Sequence, residues 1–216
     1  MIKTFEFNHF QVNSYVVYDE AARQCAIIDP AAEASYEDAM LMQFIEGKGL
    51  SPTLILLTHA HIDHIAGLQQ VCERFSLPVT MHREGRELLQ HAMVYGGVMG
   101  FAVDGDALER LPVNEIVDGD TLQVGSIQIE ARYVPGHCPG SMCYVLHDER
   151  SVITGDTLFH FSVGRSDLPG GDHRLLIHKI REQLLTLPSD YAVLPGHGIA
   201  STIGRENKYN SFLVYD

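Results

Sequence analysis

The sequence predicts a mixed α/β protein, built from two strand-and-helix halves that pack sheet on sheet with helices outside. Three observations lead there. Alternating or apolar runs fall in two groups, at 2–28 and 121–155, each followed by segments of helical spacing. One further run, TLILLTH at 53–59, is apolar on both faces and ends in a histidine-rich turn. The 216 residues, 45% of them hydrophobic, are enough for one substantial core, so 1–216 is expected to form a single domain.

The elements follow in chain order. Runs at 2–7, 14–18 and 24–28, separated by turn-like positions, read as an opening antiparallel meander. From Ser35, a candidate N-cap, residues Tyr36, Met40, Leu41, Phe44 and Ile45 keep helical spacing until Gly47 and Gly49 stop it. After the strand at 53–59, a second helix carries Ile65, Leu68, Cys72 and Phe75 on one face, followed by a short strand at 78–82 and a short helix at 83–92. Residues 93–106 have no clean period and are rich in glycine, the pattern of a long loop walling a site. Met93, Tyr95, Met99 and Phe101 there are candidates for an apolar substrate wall, with core packing as the alternative. Runs at 121–124, 127–134, 141–147 and 150–155 make a second meander, and 172–186 a helix capped by Asp172. A final strand, YAVL at 191–194, leads into PGHG.

Composition narrows the function. A net charge of -13 and a pI near 5.3 argue against a phosphate backbone as partner, because such binding needs clustered Lys and Arg. No apolar stretch reaches the roughly 18 to 20 residues that cross a bilayer, and MIKTFEFNHF lacks the pattern of an export signal, so no membrane partner and a cytoplasmic location are expected. Cys25, Cys72, Cys138 and Cys143 contain no C-x-x-C pair and are expected as reduced thiols. Histidine is abundant, at twelve copies.

Four of those potential ligands crowd into six residues. His59, His61, Asp63 and His64 stand at a junction of strand and helix, where alternating side chains can project into one cavity. Imidazole and carboxylate suit Zn(II) first, with Fe(II) or Mn(II) also accommodated. Three later strand tips end beside glycine: His137 in VPGHCPGS, Asp156 in VITGDTLF and His197 in VLPGHG. Glycine permits a sharp turn and close backbone approach, so each tip can deliver its side chain to a common sheet edge. Asp29, closing the strand CAIID, is a candidate partner for a metal-binding histidine, or else a turn former before Pro30.

At these residues the chain resembles the metallo-β-lactamase superfamily, and within it the short, single-domain bacterial members of the glyoxalase II (hydroxyacylglutathione hydrolase) branch. IIDP at 27–30, LLTHAHIDHIAG at 56–67, VPGHCPGS at 134–141, ITGDTLF at 153–159, VGRSDLPGGD at 163–172 and LPGHG at 194–198 carry the resemblance, together with the ending STIGRENKYNSFL. It implies an αββα four-layer sandwich with its site at the edge between two sheets. It also implies two divalent ions, one on His59, His61 and His137, the other on Asp63, His64 and His197, with Asp156 bridging. Arg165 and Asp167 stand where that branch has a Lys and a Tyr, and Gly198 and Ile199 follow His197 where it has a further Tyr, so glutathione itself is not implied.

The expected activity is hydrolysis of a small thioester by a metal-activated bridging hydroxide, with Asp63 and Asp156 catalytic and the thiol leaving as thiolate. Arg165 is a candidate for holding a substrate carboxylate, with an ion pair to Asp167 or Asp172 as its alternative, and His160 is a candidate for bordering the pocket. The rival is a persulfide dioxygenase of the same fold, with one iron on His59, His137 and Asp156. A non-catalytic structural metal protein is the third option; such sites normally close four ligands around one ion.

Overall fold

The computed structural model describes residues 1–214. The first half runs β1 (Ile2–Phe7), β2 (Val12–Asp19), β3 (Gln24–Ile28), α1 (Ser35–Gly47), β4 (Ser51–Leu56), α2 (Leu68–Phe75), β5 (Val79–Met81), α3 (Arg86–Gln90), α4 (Ala92–Met99), α5 (Gly105–Glu109) and β6 (Val113–Glu115). Its strands form one sheet in the order β1-β2-β3-β4-β5-β6. The first three pair antiparallel, as the meander predicts, whereas β3 to β6 are parallel, since helical crossovers join them.

The second half comprises β7 (Thr121–Val124), β8 (Ile127–Tyr133), β9 (Met142–Leu146), β10 (Ser151–Gly155), the small hairpin β11 (Leu158–Phe159) and β12 (Ser162–Val163), α6 (His173–Lys179), β13 (Ala192–Pro195), β14 (Ser201–Thr202), α7 (Ile203–Tyr209) and α8 (Ser211–Val214). Its sheet has the order β14-β13-β10-β9-β8-β7. Strands β7 to β10 are the predicted antiparallel meander; β13 then lies parallel to β10.

Burial follows the two-residue period of a strand. On β2, Tyr15 and Val17 enter the layer between the sheets, while Val16 and Tyr18 face the helices. Ile28 and Leu56 from the first sheet meet Ile129, Met142, Tyr144 and Ile153 from the second. Outside the first sheet, Leu41 and Ile45 of α1 and Val71 of α2 cover Val16 and Ile55; outside the second, Leu176 and Ile177 of α6 cover Val145 and Val193. The result is the αββα sandwich. Two buried tyrosines cross the middle layer: the Tyr15 hydroxyl donates to the Pro195 carbonyl and the Tyr144 hydroxyl to that of Leu57, each at 2.7 Å.

Four local expectations are corrected or refined. Residues 93–106 are not one long loop, because α4 and α5 occupy most of the span, and Phe101 is buried in the core. Gly96 explains the seating of α4, since a Cβ there would press on Val103 and Ile62. The N-cap of α1 is Ala34 rather than Ser35; the buried Glu37 carboxylate reaches back to accept from the amides of Glu33 and Ala34 at 2.8 and 3.0 Å. Finally, β4 ends at Leu56 instead of reaching residue 59, and the predicted helix at 172–186 is α6 continued by a π-helical turn over Ile180–Leu184.

Candidate metal centre

Four strand ends meet at one edge of the sandwich. Past β4 the chain passes through Thr58 and His59 into a tight helical turn, Ile62–Ile65, which presents Asp63 and His64. His137 lies between β8 and β9, Asp156 directly after β10, and His197 two residues after β13. Close approach of these tips depends on glycine: a Cβ at Gly196 would lie 2.3 Å from Asp156 Oδ1 and 2.7 Å from His64 Cε1. A short clamp adds to this, because the Asn13 amide side chain donates to the carbonyls of Pro195 and Gly198, and its backbone N–H to that of Gly196.

All seven predicted donors converge. His59, His61 and His137 form one group, with ring centroids 4.7 to 4.9 Å apart and His137 Nε2 only 2.9 Å from His61 Nδ1. Asp63, His64 and His197 form a second, with His197 Nε2 3.3 Å from Asp63 Oδ2 and His64 Nε2 3.8 Å from the same oxygen. Asp156 lies between them: Oδ1 is 3.3 Å from His64 Nε2, and Oδ2 is 3.6 Å from His197 Nε2 and 3.8 Å from His137 Nε2. The Cys138 sulfur also lies near the first group, a neighbour that sequence spacing did not single out.

Hydrogen bonds on the far side of the rings fix which nitrogen faces inward. Asp29 is the hub: its carboxylate accepts from the Thr58 amide at 2.7 Å, the Thr58 hydroxyl at 2.6 Å and His64 Nδ1 at 2.9 Å. With its own proton given to Asp29, the Thr58 oxygen accepts from His59 Nδ1 at 3.1 Å. His137 Nδ1 donates to the Arg165 carbonyl at 2.7 Å and His197 Nδ1 to the Phe10 carbonyl at 2.9 Å. Four imidazoles therefore turn Nε2 toward the centre.

Electrostatics divide the site by sign. Burial, reinforced by neighbouring imidazoles, holds His59 well below the usual histidine value and pushes His61 down to about 4. Burial opposes charge on His64 too, but Asp156, Asp63 and Asp29 together outweigh it and hold that group well above the usual value. Burial likewise disfavours ionised Asp63 and Asp156, yet the facing histidines win and hold both below the carboxylate range. The ionised carboxylates and the neutral His59 and His61 are the donor forms a cation requires, and His64 would release its proton on binding one. His59 Nε2, His64 Nε2 and Asp156 Oδ1 are moreover buried without a hydrogen-bond partner among the described residues. Such orphaned polar atoms are rare, and five imidazoles with two carboxylates aimed at each other fit divalent ions.

The remaining predicted residues separate. Arg165 lines the adjoining cavity, but its guanidinium is held by Asp167 through Nε at 2.9 Å and Nη2 at 2.8 Å, the structural alternative. His160 lies tilted against Phe161 and is absent from the cavity lining. Tyr95 and Met99 do line that cavity, of about 320 Å³, whose floor is His61, Asp63, His137, Asp156 and His197.

Comparison with known proteins places this arrangement. A model of the metallo-beta-lactamase superfamily matches residues 8–197. A probable metallo-hydrolase of Bacillus subtilis, YqgX, is 39% identical, the match covering 94% of this chain and 92% of that one. The hydroxyacylglutathione hydrolase GloC of Haemophilus influenzae is 34% identical, covering 94% and 93%. Among solved structures, TTHA1623 in a di-iron-bound form superposes with a TM-score of 0.86 at 33% identity, covering 98% of this chain and all of that one.

Proposed function

Because the chain belongs to the metallo-beta-lactamase superfamily, we propose that it is a binuclear metal-dependent hydrolase of small thioesters. The observation that carries this reading is the convergence of two donor groups around a shared Asp156 on the floor of a cavity. His59, His61 and His137 would hold one ion, Asp63, His64 and His197 the other, and Asp156 would serve both. Zinc suits these donors, as do iron and manganese. The relative named for hydroxyacylglutathione hydrolysis supports the thioester, and the di-iron neighbour supports two ions.

When bound, the ions supply Lewis acidity and lower the pKa of water from 15.7 toward about 7. The chain's own residues hold the geometry. Asp29, Thr58 and the carbonyls of Phe10 and Arg165 lock the imidazole tautomers. Asp63 and Asp156 line the cavity floor, where their carboxylates accept hydrogen bonds from the attacking water and orient it toward the substrate carbonyl. A thiol of pKa near 8.5 departs as thiolate without a dedicated acid.

Metal quantification on protein isolated under native metal supply, followed by a thioester panel read through released thiol, tests the proposal. Two ions per chain and thiol release are expected, and Asp156→Ala should lose metal and slow turnover by about 100-fold or more. Full loading with unchanged turnover in that variant would overturn the scheme. One iron per chain with oxygen uptake on a persulfide would favour the rival set of His59, His137 and Asp156. Against that rival, Asp63, His64 and His197 already make a complete second donor group.

A further inference from the structure

The cavity above the donor groups differs from them in chemistry. At about 320 Å³ it lies at the small end of ligand pockets. Its apolar lining comprises Phe10, Leu88 of α3, Tyr95 and Met99 of α4, and Leu168 and Pro169. Arg165 supplies the cation of the lining, and Asp167 already grips it through two nitrogens. Both side chains of that pair are exposed, so a substrate carboxylate joining Asp167 on the guanidinium would gain little electrostatic energy.

Helix α4 extends the apolar wall beyond the cavity. Its sequence, AMVYGGVM, carries no charged side chain. Only Ala92 and Gly96 are buried; Met93, Val94 and Val98 stand exposed around Tyr95 and Met99. An apolar group seated along Tyr95 and Met99 would leave water on its own side and cover exposed side chains on the other.

From this placement we infer that the substrate is an uncharged thioester bearing an apolar substituent, and that Tyr95 and Met99 on α4 determine that preference. The inference rests on the thioester reading above and sharpens it: a charged thiol such as glutathione gains little from the solvent-exposed Arg165, whereas each methylene against the α4 wall adds transfer free energy. The apolar substituent belongs either to the acyl carbon or to the sulfur, and two homologous series separate the cases.

The test uses the metal-loaded full chain. One series lengthens the acyl group from acetyl to hexanoyl on N-acetylcysteamine; the other keeps acetyl and lengthens an uncharged alkyl thiol. S-lactoylglutathione is run alongside. The expected result is a rise in kcat/KM of about two- to fourfold per methylene in one series, with S-lactoylglutathione below its longest member. Tyr95→Ser and Met99→Ser, both on the exposed face of α4, should flatten that rise by raising KM most for the longest members, with the metal content of the chain unchanged. Flat series with S-lactoylglutathione preferred would overturn this inference and leave thioester hydrolysis standing. A rise that both variants leave intact would remove α4 as its origin. Failure to release thiol from any compound would overturn the thioester reading itself.

Discussion

Asp29 shows how one side chain can govern a centre it does not enter. It sits at φ 50°, buried, and accepts from Thr58 twice and from His64 once. An amide in its place keeps the shape but presents N–H to His64 Nδ1, which favours the tautomer whose proton sits on Nε2. Asp29→Asn is therefore expected to weaken metal binding by about 10- to 100-fold while leaving the circular dichroism of the metal-free chain unchanged. Calorimetric metal titration reads the first effect, and unaltered affinity would remove Asp29 from this role. Gly196 acts through space instead. The Cβ of Gly196→Ala must push Asp156 and His64 apart, so a loss of about 1 to 3 kcal/mol in urea unfolding is expected, with fewer than two ions retained. His137, Asp156, His197 and Asp29 are legible as strand tips because an apolar run followed by Gly-His, Gly-Asp or Asp-Pro marks one. The Phe10 and Arg165 carbonyls are not, since every residue carries that group and sequence gives it no signature.

At the level of elements, the long strands and α1 declared themselves by period, whereas α4 did not. A helix that is apolar all round and contains two glycines has no amphipathic stripe to read, and it is held by the packing of Gly96 against Ile62 and Val103. Strands β11, β12 and β14 have two residues each, too few to display alternation. Pairing between sheets is likewise invisible in sequence. Tyr144 reads as one more core aromatic, yet its hydroxyl ties β9 to the carbonyl of Leu57 on the approach to His59. Tyr144→Phe removes that donor and leaves a buried carbonyl short of a partner. A destabilisation of about 1 to 3 kcal/mol is expected in urea unfolding, and a change within a few tenths would mean that the crossing bond is dispensable.

Across the whole molecule, the two sheets are joined at both ends by different means. The edge that carries the candidate metal ligands is held by the two tyrosines and the Asn13 clamp. At the opposite end of β3, Asp19 joins the β2–β3 turn to the β7–β8 turn: one oxygen accepts from the amides of Ala21 and Ala22, the other from the amide and hydroxyl of Ser126, both at 2.7 Å. These bonds to Ser126, its backbone contribution first, hold the Asp19 carboxyl below the usual carboxylate range. A depressed carboxylate stabilises the fold fully above its unfolded pKa, near 3.9, and loses that contribution as the pH falls from there toward its lower folded value. Asp19→Asn should thus lower the Tm clearly at pH 7, and the gap from the parent chain should narrow between about pH 4 and pH 2. Carboxylates of the candidate metal centre titrate in both proteins and cancel in that difference. Thermal melts of the pair across this range measure it directly; a gap that stays constant down to pH 2 would mean that Asp19 joins the halves by shape alone, with no contribution from its charge.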